Sequence, residues 1–162
     1  MIICGIDPGT RFTGFGVLEI GSAADKYIIH GTLSPKDDDL SLRLRAIYLG
    51  LAQVFETYRP AEVAVETSFY AKNAQTALKL GQVRGVIFLA AAMAQIPIFE
   101  YSPSEIKKAV CGYGQAEKEQ VSTMVRTILH LAPDTIDSLD AGDALAACIC
   151  HASSRKFKRL ER

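Results

Sequence analysis

Apolar positions along this chain follow two rhythms: short runs that stop at turn residues, and longer stretches that repeat every three or four residues. Residues 2–6 form an apolar run that ends at Asp7-Pro8-Gly9, the pattern of a buried strand closed by a turn. Residues 12–20 read as a second strand. Gly14 and Gly16 inside it predict a bulge or the close approach of another backbone. After a turn at Gly21-Ser22 and Asp25, residues 27–33 form a third strand, and the short connections predict an antiparallel meander. Beyond a polar, acidic loop over 34–39, Leu44, Ile47, Tyr48, Leu51, Val54, Phe55 and Tyr58 recur at helical spacing. Asp39 or Ser41 suits the N-cap of that helix and Pro60 ends it. Val63-Ala64-Val65 then reads as a short buried strand that delivers Glu66, and a helical crossover before it predicts parallel pairing.

The second half is richer in helix. A loop over 67–73 leads to a long helix over 73–95, apolar on much of its surface, with Gly81 and Gly85 one turn apart. Small residues at that spacing suit either packing on the parent sheet or a contact with a second copy. Residues 96–101 form a fifth strand, opened by Pro97 at a strand end. Ser102-Pro103-Ser104-Glu105 has a capping Ser, Pro at the first helical position and Glu three residues after the Ser, a strong helix start. That helix ends at Gly112-Tyr113-Gly114. The next carries Val121, Met124, Val125, Ile128 and Leu129 on one face and breaks at Pro133, and a last helix spans 140–153. The order βββαβαβααα predicts an α/β domain, a mixed five-stranded sheet flanked by helices, over residues 1–154, with a basic tail over 155–162.

Composition adjusts this picture in three ways. At 162 residues and 49% apolar, the chain suits one domain with one core. No apolar run is expected to approach the roughly 20 residues that cross a bilayer. The N-terminus carries no basic segment ahead of its apolar run, so no signal peptide is expected and the cytoplasm is the default location. Cys4, Cys111, Cys148 and Cys150 lack zinc-site spacing and are expected to be reduced, buried thiols. The zero net charge is an average over unlike blocks: −3 over residues 1–71, +3 over 72–118, −4 over 119–152 and +4 over 153–162. Separated patches of this kind can steer a polyanion although the chain is neutral.

Four acids stand where a charge is awkward. Asp7 ends one buried strand and Glu66 another, while Asp140 and Asp143 lie three apart on a helix that is otherwise small and apolar. Residues three apart share a helix face, and like charges there are costly unless a cation lies between them. Carboxylates gathered from two strand ends and a helix suit Mg²⁺ or Mn²⁺. Two such ions about 4 Å apart can activate a water and stabilise the leaving 3′ oxygen of a phosphodiester. Each acid taken alone also suits a turn or a cap. His151, two turns beyond Asp143, is expected to be a partly exposed helical histidine.

The same residues carry a resemblance. Gly5-Ile6-Asp7-Pro8-Gly9-Thr10, with Thr13-Gly14-Phe15-Gly16-Val17, resembles the opening of the RuvC Holliday-junction resolvases. Glu66 with Phe69, Ala71-Lys72-Asn73, the run from Ala77 to Gly85, Ala116-Glu117-Lys118 and Asp140-Ala141-Gly142-Asp143-Ala144-Leu145-Ala146 extend it over nearly the whole chain. The resemblance implies an RNase H-like fold, a homodimer, and Mg²⁺- or Mn²⁺-dependent paired nicking of four-way DNA junctions in recombination and repair. It implies Asp7, Glu66, Asp140 and Asp143 as catalytic metal ligands for two ions, and Phe69 as a stacking residue at an unpaired base. Lys107 and Lys118 become phosphate contacts near the scissile bond, and a branch-migration motor of two further proteins becomes a partner. Lys72, Lys79 and Arg84 extend the basic block along a duplex arm, and Arg155, Lys156, Lys158, Arg159 and Arg162 suit either a flexible phosphate clamp or a solubilising end. Gly142 is expected to loosen the helix that bears two of the acids.

Three other readings stay open on the residues alone. A sugar-kinase or actin-like ATPase shares the strand-Asp-Gly-Thr opening, but needs two large lobes. A nuclease for RNA on the same fold would use the same four acids. A binding module without catalysis has no use for them.

Overall fold

The computed structural model describes residues 1–22, 24–67 and 74–160, with side chains through Arg155. Three strands come first, β1 (Ile2–Asp7), β2 (Thr13–Glu19) and β3 (Lys26–Leu33). They are followed by α1 (Leu40–Tyr58), β4 (Glu62–Glu66), α2 (Ala74–Met93) and β5 (Ile98–Tyr101). Three helices close the chain: α3 (Pro103–Cys111), α4 (Lys118–Ile128) and α5 (Leu139–Leu160). The sheet order is β3-β2-β1-β4-β5, with β1–β2 and β2–β3 antiparallel and β1–β4 and β4–β5 parallel, as the meander and the helical crossover predict.

Local chemistry sets the element ends. The Asp39 side chain accepts from the amides of Ser41 and Leu42, which makes it the α1 cap, and Arg59 leaves that helix in the left-handed region (φ 46°) before Pro60. Ser102 and Glu105 form a reciprocal capping box on α3, and Gly112 closes it at φ 85°. α2 is long and apolar enough on average to cross a bilayer, nearer to that limit than the sequence pattern suggests. It also carries Lys79 and Arg84, and it buries Val83, Ile87, Ala90 and Ala91 in the core.

The two faces of the sheet build two halves of the core. α1 and α2 cover Cys4, Ile6, Val17, Val63 and Val65. α3, α4 and α5 cover Ile3, Leu18, Ala64, Phe99 and Tyr101. Strand side chains alternate faces, so Asp7, in step with Ile3 and Gly5, points to the α5 side, as do Glu62 and Glu66, in step with Ala64. α5 lies almost on the backbone of β1 and β2. A Cβ on Gly5 would stand 2.0 Å from the Ala144 carbonyl oxygen, and one on Gly14 would stand 2.0 Å from that of Asp140. The strand glycines therefore mark a close backbone approach; the register irregularity of β2 falls elsewhere, between Val17 and Leu18.

Two expectations change. α5 runs on to Leu160 instead of stopping near Ser153, and Arg155 is anchored: its Nε donates to Glu62 Oε2 at 3.1 Å. A mobile phosphate clamp starting at Arg155 does not fit that ion pair. His151 is fully buried, because the face of α5 that carries it turns onto β4 and β5. Gly142 has room for a side chain, with Ile136 Cγ2 3.6 Å from the position of a Cβ, so no close approach requires a glycine there.

Candidate active site

Asp7 and Glu66 end neighbouring parallel strands, one step beyond the Ile6–Val65 pair. α5 crosses the same ends and brings Asp140 and Asp143 on its first two turns. Asp7, Glu66 and Asp143 line a cleft of about 220 Å³ with Pro103, Ile106, Lys107, Lys118 and Val121. Asp140 is outside that lining but close enough to raise the pKa of both Asp7 and Asp143.

The electrostatics are those of crowded, half-dry carboxylates. Asp7 is held well above the usual carboxylate range, first by burial, then by Glu66, Asp143 and Asp140, with Lys118 opposing. Glu66 is raised to about 7 by burial and by Asp143, against Lys118 and Lys107. Asp143 is also raised by burial, while Lys118 opposes the shift through a 3.2 Å contact from its Nζ to Asp143 Oδ2. The same contact raises Lys118. Two ammonium groups, Lys118 and Lys107, thus offset part of the charge of four acids, and the surplus favours a divalent cation.

The donor set fits a hard cation, since every candidate ligand is a carboxylate oxygen. Among the described residues no three of these side chains stand close enough together to hold one ion as they are placed. Asp7, Glu66 and Asp143 line an open cleft, with Lys118 against one wall.

Of the other predicted contacts, Lys107 and Lys118 lie in the cleft wall. Lys79 is exposed on α2. Arg84 also has partners within the protein: its guanidinium pairs with Glu100 and lies over the Phe88 ring, 5.0 Å from the centroid. Phe69 and Lys72 lie outside the described residues.

A second polar group escaped the sequence reading. Glu62, His151 and Tyr101 are buried together between α5 and the β4–β5 edge of the sheet, Glu62 at the start of β4 and Tyr101 paired with Glu66 at its end. Tyr101 Oη lies 2.6 Å from His151 Nδ1, and His151 Nε2 lies 2.9 Å from Glu62 Oε2. Burial pushes the Tyr101 phenol to about 12. It therefore stays protonated and donates to Nδ1, and Nε2–H donates to Glu62. The signal was present in Glu62-Val63-Ala64-Val65-Glu66, whose two acids alternate onto one face.

An acid-lined cleft at the ends of β1 and β4, under a helix that supplies two more carboxylates, defines a metal-dependent nuclease of RNase H-like fold. The comparisons with known proteins then make the family specific. The family model described as crossover junction endodeoxyribonuclease RuvC matches residues 3–151. The protein of that name from Geobacter sulfurreducens is 47% identical, covering 100% of this chain and 98% of its own. Its counterpart from Desulforamulus reducens is 48% identical over 94% and 93%. The structure of T. thermophilus RuvC in complex with a Holliday junction substrate superposes with a TM-score of 0.89 at 31% identity, covering 97% of this chain and 96% of that one. This chain belongs to the RuvC family of crossover junction endodeoxyribonucleases.

Proposed function

We propose that this chain resolves four-way DNA junctions by paired, symmetric hydrolysis of phosphodiesters, in the cytoplasm, as a step of DNA recombination and repair. The observation that carries this reading is the cleft in which Asp7, Glu66 and Asp143 face Lys107 and Lys118. Asp7, Glu66, Asp140 and Asp143 would hold two Mg²⁺ ions, with Mn²⁺ able to substitute. When bound, the ions supply charge neutralisation at the attacking and leaving oxygens of the phosphodiester. The rest falls to the chain. Asp7 and Glu66 are fixed by strand ends, and Asp140 and Asp143 by α5, so the ligands need little reorganisation. Lys107 and Lys118 offer cationic contacts to phosphates beside the scissile bond. Phe69 follows the Glu66 strand closely in sequence and is assigned to stacking on an unpaired base, worth about 1–3 kcal/mol. Lys72 and Lys79 belong to the same basic block and are assigned to a duplex arm.

Paired cutting requires two sites facing opposite strands, which a two-fold homodimer supplies. Leu78, Gly81, Gly85 and Leu89 form one stripe on α2. Leu78 is 71% and Leu89 54% exposed, and nothing lies within 4 Å of a Cβ at either glycine. This stripe is assigned to the dimer contact. The family's branch-migration motor proteins would be further partners.

The test is cleavage of a mobile four-way junction with Mg²⁺ by wild type and Asp7→Asn. Symmetric nicks by wild type, with junction binding kept and cutting abolished in the variant, are the expected result. Preferential cutting of RNA or linear duplex would overturn the substrate, and full activity in Asp7→Asn would overturn the site.

A further inference from the structure

The segment leading into α5 is fastened to the far edge of the sheet. Thr32 of β3 and Ser138 share a hydroxyl–hydroxyl hydrogen bond of 2.8 Å. Ser138 Oγ also accepts from the Ala141 amide at 3.2 Å, and the Ser138 carbonyl accepts from the Gly142 amide at 3.1 Å. These two bonds make Ser138 the N-cap of the helix that carries Asp140 and Asp143. One residue earlier, Asp137 Oδ1 lies 3.3 Å from His30 Nε2, and His30 Nδ1 lies 2.8 Å from Tyr27 Oη. Burial raises the Tyr27 phenol above its ordinary range, so it stays protonated and donates to Nδ1. The ring then presents Nε2–H to Asp137. β3 is an edge strand, and neither Thr32 nor His30 lines the acid cleft.

Two constraints thus meet on one helical turn. The Asp140 carbonyl rests on Gly14, where a Cβ would stand 2.0 Å from its oxygen, which fixes how closely α5 approaches β2. The bonds from Thr32 and His30 act from the side and fix the direction in which the first turn leaves the loop. We propose that Thr32 and His30 are positioning residues for the metal-binding acids. Acting through the cap residue Ser138 and through Asp137, they set where Asp140 stands relative to Asp7. The proposal rests on the metal-site reading above, and its test separates the two.

The measurement is Mn²⁺ binding by calorimetry to the full chain without DNA, paired with amide hydrogen exchange of the metal-free protein. Thr32→Val removes the hydroxyl at nearly constant volume. It is expected to weaken Mn²⁺ binding by about tenfold, the scale seen when a group that orients metal ligands is lost. Exchange at Ala141 and Gly142 is expected to accelerate while the amides of β1 and β4 keep their protection. His30→Phe is expected to act in the same direction, and Thr32→Ser, which keeps the hydroxyl, to restore both readouts. Unchanged Mn²⁺ affinity and exchange in Thr32→Val would overturn the proposal. So would exchange that accelerates evenly across the sheet without rescue by Thr32→Ser, which marks simple destabilisation. Wild type that binds no Mn²⁺ would remove the metal-site reading and this proposal with it.

Discussion

Glu66 is the residue at which the charge balance of the cleft can be read. Its carboxyl titrates near 4.5 when unperturbed and near 7 in the fold, so burial and Asp143 favour its neutral form. A divalent cation must displace that proton. Metal affinity is therefore expected to rise steeply between about pH 6 and about pH 8, and calorimetric Mn²⁺ titrations across that range check it. Removing Lys118, which holds Glu66 down, shifts the rise to higher pH. Stability runs the other way. A raised pKa contributes stability that is complete below about 4.5 and is lost as pH climbs through about 7. Glu66→Gln keeps a neutral side chain at every pH. Without metal it is expected to melt roughly several degrees above wild type near pH 8, with the difference gone near pH 4, as read by calorimetry.

Among the elements, α5 depends most on its neighbours. A Cβ at Gly14 would overlap the Asp140 carbonyl, so Gly14→Ala must push the first turn of α5 outward. Overpacking of this kind costs about 1–3 kcal/mol. Here it also moves two candidate ligands, so nicking is expected to fall by more than the loss of folded protein explains. Gly142→Ala is the control. Its Cβ meets only ordinary contacts, and it is expected to stabilise the helix by up to about 1 kcal/mol in urea unfolding. At the other end of the helix, Glu62→Ala leaves His151 and Arg155 without their shared carboxylate. Breaking a buried pair in this way costs about 3–5 kcal/mol, which the same unfolding experiment measures.

These elements were unequally legible in the sequence. The succession of elements along the chain, the pairing directions and the α3 capping box follow from period, turns and crossovers, because those signals are local. Asp7 and Glu66 were legible because a charge at the end of an apolar run is conspicuous. Asp140 and Asp143 were legible from their spacing. His151 was misjudged because its burial depends on β4 and β5, fifty or more residues away, and the pairing of Arg84 with Glu100 left no local signal because the two lie on different elements. The bond between Thr32 and Ser138 joins two ordinary hydroxyl residues across more than a hundred positions, and no local pattern marks it.

For the whole molecule, the outward half of α2 is an apolar surface that the chain leaves uncovered, and it is the face proposed above for the dimer contact. Open space at Gly81 means that a large side chain there costs the single chain nothing in packing. Gly81→Arg is therefore expected to fold normally and to lower the dimer fraction in light scattering. Nicks on the two opposed strands would then become uncoupled in time. A variant that stays folded, dimeric and coupled would move the interface elsewhere.

α5 also works as a ruler. Its first turn is fastened at Ser138, and its later turns at His151 and Arg155, so the chain length between the carboxylates and the buried polar group is not adjustable. One extra residue between Asp143 and His151 would rotate everything beyond it by about 100°. Either the acids would leave the cleft, or Glu62 would lose its imidazole. Insertions and deletions are therefore excluded from this stretch of the chain. The connection between Glu19 and Lys26, whose described residues are mostly exposed, is where changes in length can accumulate between relatives.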